Sequence, residues 1–341
     1  MVANEGLGYG GNHLEAGILP ASELHEGFSR RTNGQAISAG LGFVFSEQRG
    51  GCWSDFHQDQ NKSDIWVTAY VLARLGEMPA YFFCGAMRRQ IRTALDWMAT
   101  SHIPGSGWGY YSGAEADAET TARVIMALRR HSSPVPEDAL AFLRRCGRED
   151  GGTAFALDAC GAGRLWKLSA AEVTPLADNA LQNLASSTSE YLESWLLENK
   201  RPNSGCSLTS PLAVCSAILD LGRNTVPRAF SDQLREVLLC YSTEEAFDCA
   251  LLLRSLLALR LQRAWWVAVS LRRMQQADGS WPASARSYAV FSDVRQASGP
   301  AEDQKRIVTT ITAIASLVMA EAQPGLYFGS DLPLPRRLYE S

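Results

Sequence analysis

Asp117 and Glu119 stand two residues apart at the head of an apolar helical pattern, in the run Asp117-Ala118-Glu119-Thr120-Thr121-Ala122. The aromatic and glycine-rich stretch Gly107-Trp108-Gly109-Tyr110-Tyr111 comes just before them. Such a pairing can set a carboxylic acid at the end of an aromatic-lined space. Protonating an unactivated carbon–carbon double bond is one of the few reactions that needs this. An alkene is a very weak base, so its donor must be a protonated acid kept away from water. Two effects oppose each other at Glu119. The helix dipole of a first turn favours the anion and so strengthens the acid, whereas apolar burial and the neighbouring Asp117 hold the proton on. Two carboxylates sharing a proton meet both needs, and Thr120 could donate a hydrogen bond to the carboxylate left behind.

The product of such a protonation is a carbocation. Aromatic faces stabilise a cation by about 0.5–2 kcal/mol each without offering it a nucleophile. Trp66, Trp108, Tyr110 and Tyr111 are the candidates near the acid; Trp53, Phe155, Trp166, Trp195 and Trp281 are weaker ones. A plainer reading stands beside this one. Asp117 as a helix N-cap, with Glu119 facing solvent, accounts for the hexapeptide without catalysis. Trp108 and Trp281 lie in glycine turns, where a tryptophan commonly packs one helix on the next. His57, in Asp55-Phe56-His57-Gln58-Asp59, imitates a metal cluster, but five histidines without ligand spacing do not predict a metal site. No G-x-S-x-G, P-loop or dinucleotide fingerprint occurs.

The elements that must position these residues are helical. Apolar residues recur at spacings of three and four over 64–76, 86–100, 119–131, 137–146, 178–198, 210–222, 231–241, 245–274 and 305–322. The stretch 245–274 is long enough for two helices with a disguised turn. Nothing reads as alternating strands, which predicts an all-α chain with short loops. Glycine turns recur: Gly51, Gly107, Gly152, Gly205 and Gly279 are roughly 45 to 75 residues apart, with one more turn expected near Tyr241 to Glu245. That is the period of a helix hairpin. No hairpin buries its apolar face alone, and about six of them can close into a ring around a central space.

Composition narrows the function. With 341 residues, 46% of them hydrophobic, the chain can bury a large core. A net charge of -4 gives no electrostatic reason to expect nucleic acid. The eight cysteines form no C-x-x-C pair and read as reduced, largely buried thiols of a cytoplasmic protein. No basic leader pattern and no run of eighteen apolar residues is present. Leu251 to Val269 comes nearest, interrupted by Arg254, Arg260 and Arg263 and carrying Trp265-Trp266. It reads as a helix of the core, with peripheral contact to a membrane surface left open.

The turns, best preserved as Gln275-Gln276-Ala277-Asp278-Gly279-Ser280-Trp281, resemble the glutamine–tryptophan repeats of the squalene–hopene and oxidosqualene cyclase superfamily, which includes the β domains of class II diterpene cyclases. Ser63-Asp64-Ile65-Trp66-Val67-Thr68-Ala69 resembles the helix start before the catalytic hairpin, and Ala94-Leu95-Asp96-Trp97 the next helix. Asp117 to Ala122 falls where that family carries its D-x-D-D-T-A acid motif. Order and spacing agree over roughly residues 40–135; the rest matches as repeats only.

The resemblance implies an α6–α6 toroidal barrel whose acid protonates a terminal alkene or epoxide of a linear prenyl substrate. Glu119 takes the place of the proton-donating aspartate, Asp117 that of the first aspartate, and Thr120 that of the last. Three departures matter. Glutamate for aspartate carries the acid one methylene further out, the chain is too short for a second barrel, and no D-D-x-x-D occurs to ionise an allylic diphosphate. No cofactor is therefore expected, magnesium entering only with a diphosphate substrate. The expected organisation is an N-terminal segment over 1–35 that caps or closes the ring, one barrel over 36–322, and a tail over 323–341. Two alternatives stay beside the cyclase. One is a non-catalytic helical toroid that binds a lipid or a protein. The other is a β-subunit-like protein prenyltransferase, which needs a zinc site, although the C-terminal half holds no histidine.

Overall fold

The computed structural model describes residues 32–58, 61–157, 167–182, 186–198, 211–220, 228–241, 243–283 and 303–323. The expected capping segment up to residue 31, the tail from 324, the turn at Gly205 and Trp166 lie outside them. Twelve α-helices occupy the described residues. They are α1 (Asn33–Ser46), α2 (Ile65–Leu75), α3 (Gly85–Thr100), α4 (Ala118–Arg130), α5 (Glu137–Cys146) and α6 (Thr174–Leu181), then α7 (Ser186–Glu198), α8 (Pro211–Asp220), α9 (Arg228–Cys240), α10 (Ala246–Ala258), α11 (Ala264–Arg273) and α12 (Ile307–Glu321).

Even-numbered helices make a closed inner ring. α2 packs on α4, α4 on α6, α6 on α8, α8 on α10, α10 on α12, and α12 returns to α2. Odd-numbered helices lean on this ring from outside: α3 on α2, α5 on α4 and α6, α9 on α10, α11 on α10 and α12, α1 on α12. This is the expected α6–α6 barrel, and composition decides which helix goes where. Every residue of α2 is buried: it is almost wholly apolar, and its one charged side chain, Arg74, is paired with Glu77 and Asp220. Outer α3 buries only Ile91, Ala94, Leu95 and Met98.

The turns between outer and inner helices share one construction. The backbone N–H of Trp53, Trp108, Thr153 and Trp281 donates to the hydroxyl of Thr68, Thr121, Thr174 and Thr310, each in the first turn of the following inner helix. The three indole N–H groups reach back to carbonyls of the preceding outer helix: Trp53 to Val44 at 2.7 Å, Trp108 to Met98 at 3.0 Å, Trp281 to Leu271 at 2.6 Å.

Three local expectations change, and the two-helix reading of 245–274 holds. α1 carries glycines at 34, 40 and 42, which weaken its helical signal. It forms on a capping box between Thr32 and Gln35, and Gly40 lets α12 approach, since a Cβ there would lie 2.8 Å from Ile314. The segment 178–198 is two helices, not one, because Gln182 turns left-handed at φ 56 after α6. The stretch 245–274 divides at Arg260, φ 54, and Trp266 on α11 is half exposed. A small antiparallel hairpin, β1 (Asp55–Gln58) with β2 (Asn61–Ser63), interrupts an otherwise helical chain. The turn expected near Tyr241 lies between α9 and α10, where the Arg263 guanidinium donates to the carbonyls of Leu238, Leu239 and Tyr241. No described helix is long and apolar enough to cross a membrane.

At Gly279, φ is 91 and an added Cβ would sit 2.4 Å from the Ala39 carbonyl oxygen. Gly279→Ala should therefore lower unfolding free energy by about 2–4 kcal/mol, combining backbone strain and a clash that only a shift of α1 relieves. Urea denaturation followed by circular dichroism measures it.

Candidate active site

Asp117 caps α4. Its Oδ1 accepts the Thr120 N–H at 2.7 Å, and its own N–H donates to the Trp108 carbonyl at 3.0 Å. That cap turns Glu119 inward instead of to solvent, and Glu119 is only 4% exposed. Its Oε1 accepts three hydrogen bonds: from the Trp66 indole N–H at 3.0 Å, Arg123 Nε at 3.0 Å and Arg123 Nη2 at 2.7 Å. No hydrogen bond from the described residues reaches Oε2. The donors from the described residues thus all fall on one oxygen of the carboxyl.

An aromatic group surrounds this carboxyl. Trp66, fully buried at the start of α2, stacks on Tyr70 with ring centres 5.3 Å apart and planes 15° from parallel. Phe56 meets it edge-on at 5.8 Å and Tyr110 at 6.1 Å. The Tyr110 carbonyl also accepts the Trp66 backbone N–H, which fixes the turn before α4 against α2. The guanidinium of Arg123 lies 4.8 Å from the Trp66 ring centre and 5.1 Å from that of Tyr70. It both pairs with Glu119 and covers two cation-stabilising faces.

The two acids have different surroundings. Glu119 accepts the arginine pair. Burial pushes the Asp117 carboxyl up to about 7, with the Glu119 charge adding to the rise and the Thr120 N–H opposing it. Near neutrality the Asp117 carboxyl is therefore partly protonated. The Thr120 hydroxyl is buried beside Asp117 without hydrogen-bond geometry to it, and it does not reach Glu119. Burial likewise raises the Tyr110 phenol, whose hydroxyl faces Ser63 with neither group in hydrogen-bond geometry.

Of the residues expected from sequence, Asp117, Glu119, Thr120, Trp66 and Tyr110 come together. Trp108 does not offer its indole N–H to the acid, because Met98 takes it. Tyr111 is half-buried, and its ring joins no aromatic contact of this cluster. Tyr70 and Arg123 were not anticipated. Each stands four residues after an anticipated one, Trp66 and Glu119, on the same helix face, so that spacing was the available signal. Phe56 had none: it occupies a left-handed turn at φ 47 inside β1.

No family model matches this chain, and no curated protein does either. Solved structures do match. A variant of the type II terpene cyclase MstE from Scytonema, without ligand, superposes with a TM-score of 0.68 at 20% identity, over 85% of this chain and 97% of that one. Another MstE variant, in complex with geranylgeranyl dihydroxybenzoate as substrate, gives 0.66 at 19% identity over 85% and 97%. A protein from Actinoplanes gives 0.66 at 21% identity over 85% and 100%. The fold of this chain is that of the type II terpene cyclase.

Carbon-detected carboxyl titration should find Asp117 near pH 7. Glu119→Gln should lower that value, yet leave it above an ordinary carboxyl because burial is the larger cause. The folded state then binds a proton that the unfolded chain releases at 3.8, so this group's contribution to stability is lost as pH rises from 3.8 to about 7.

Proposed function

We propose that the protein is a protonation-initiated cyclase of linear prenyl substrates, with Glu119 as proton donor. The observation that carries the reading is the asymmetry of the Glu119 carboxyl, buried in a barrel of type II terpene cyclase fold. In the proposed step, the proton leaves Glu119 Oε2 for the terminal carbon of the alkene, whose π electrons form the new C–H bond, and the adjacent carbon becomes the cation. The carboxylate produced is met by three donors already in place on Oε1. Preorganised donors of this kind stabilise charge as it develops without reorganising. Asp117, partly protonated near neutrality, holds the proton that returns Glu119 to its acid form. Trp66, Tyr70 and Tyr110 supply aromatic faces for the cation, and Arg123 stays on Glu119 while the substrate meets the faces it leaves open. The chemistry is proton transfer and rearrangement, and this reading requires no metal.

One observation favours the alternative of a non-catalytic toroid that binds a lipid or protein. The cation-stabilising faces are already covered by a resident cation, Arg123. Turnover distinguishes the two readings.

Incubation in deuterated water with geranyl, farnesyl and geranylgeranyl diphosphates, and with geranylgeranyl dihydroxybenzoate, the substrate named for the Scytonema relative, should give a cyclised product. Deuterium should sit at the initiating carbon. Glu119→Gln should lower kcat by about 10²–10⁴-fold. Turnover should also fall as pH rises through about 7, where Asp117 loses its proton, and Asp117→Asn should remove that limb at the cost of rate. Unchanged turnover in Glu119→Gln would refute the donor assignment.

A further inference from the structure

At the far ends of α2 and α4 from Glu119, five buried or partly buried charges meet. Arg74 Nη1 lies 2.9 Å from Glu77 Oε1 and 3.1 Å from Asp220 Oδ2. Arg254 Nη2 lies 2.7 Å from Glu77 Oε2 and 2.9 Å from Asp220 Oδ1. Arg130 pairs with Glu77 as well and donates to the Ala73 carbonyl at 2.9 Å. Among the described residues three guanidinium groups thus share two carboxylates, which leaves one positive charge over in a largely desolvated cluster, a costly arrangement. Burial and the neighbouring Arg74 and Arg254 pull Arg130 below the usual guanidinium range, while Glu77 and Asp220 oppose the shift. Burial, with Arg130 adding to it, lowers the adjacent His131.

Arg130 has a second neighbour, a cavity of about 390 Å³ between the end of α2, the start of α3 and the turn after α4. Arg88 and Arg92 of α3 also line it, together with apolar Met78, Phe83 and Ile91, and none of its lining residues is acidic. Arg88 is braced on the Phe83 carbonyl at 3.1 Å. Arg92 is exposed and makes no ion pair or hydrogen bond with the described residues. The cavity falls within the roughly 300–1,000 Å³ typical of small-ligand sites.

We propose that this cavity binds a phosphate headgroup carried on an apolar body. Arg92 and Arg88 face the headgroup from α3, and Arg130 brings the surplus charge of the buried cluster to the same wall. Met78, Phe83 and Ile91 receive the apolar portion. Guanidinium forks match phosphate oxygens two at a time, and the dianion offsets the charge that Glu77 and Asp220 leave over. The site is separate from Glu119 and does not rest on the chemistry proposed there.

Calorimetric titration with decyl phosphate, decanol and inorganic phosphate tests it. Decyl phosphate should bind at least about tenfold more tightly than decanol, and Arg92→Ala should weaken it by about tenfold, as loss of a charged hydrogen bond implies. Arg92→Glu should abolish binding, whereas Arg92→Lys should keep part of it. Circular dichroism of each variant separates lost binding from lost folding. Flotation with phosphatidylcholine vesicles, with and without phosphatidic acid, distinguishes a membrane lipid from a soluble ligand: retention on the acidic vesicles only assigns the headgroup to a bilayer. Decyl phosphate binding no better than decanol, or binding unchanged in Arg92→Glu, overturns the proposal.

Discussion

A single oxygen, Oε1 of Glu119, organises the head of the barrel. A carboxylate withdrawn from water must be given hydrogen-bond donors, or its burial costs more than the fold can bear. Here the donors come from two inner helices, Trp66 of α2 and Arg123 of α4, so the acid is also the place where those helices take their register. The turn before α4 is held to the same point, through Trp66 N–H to Tyr110 and Asp117 N–H to Trp108. Stacking of Trp66 on Tyr70 then fixes the indole ring in the orientation that aims its N–H at the carboxyl.

A second carboxyl pair fastens the start of α12. Asp303 is buried and accepts the backbone N–H of Val308 and Thr309, at 3.3 and 2.7 Å. Asp55 accepts that of Lys305 at 3.0 Å. Burial, together with the neighbouring Asp55 carboxyl, holds the Asp303 carboxyl well above the ordinary range. The β1–β2 hairpin, which also delivers Phe56 to the Trp66 ring, is thereby joined to the inner ring. At both places burial holds the acid that accepts the helix's first N–H groups, Asp117 or Asp303, above the ordinary carboxyl range. The distant end of the ring uses unneutralised arginine.

Much of this architecture is legible in the order of the amino acids. The cap spacing of Asp117 and Thr120 marks the start of α4, and Trp66 marks that of α2, because both sit at the first apolar residue of a strong period. The ring itself follows from the hairpin repeats and the glycine turns between them. Tertiary context decides the rest. Gly40 argues against a helix until α12 is laid on it, and Gln182 gives no signal for the left-handed turn that divides α6 from α7. The orientation of Trp108 depends on whether its indole N–H finds Met98 or the acid, which spacing cannot tell. Arg123 is readable in principle as the residue one turn beyond Glu119, but only burial turns that neighbour into a partner.

The ring closes late in the sequence. Gln275 donates to the Ala36 carbonyl at 2.8 Å, and α12 packs against both α1 and α2. A polypeptide emerging from a ribosome therefore exposes the greasy flanks of its first hairpin from Leu75 until Glu321 has been added, about 245 amino acids later. Nascent chains of this protein are natural clients for a holding chaperone, and translation pauses before Ile307 would prolong that exposure.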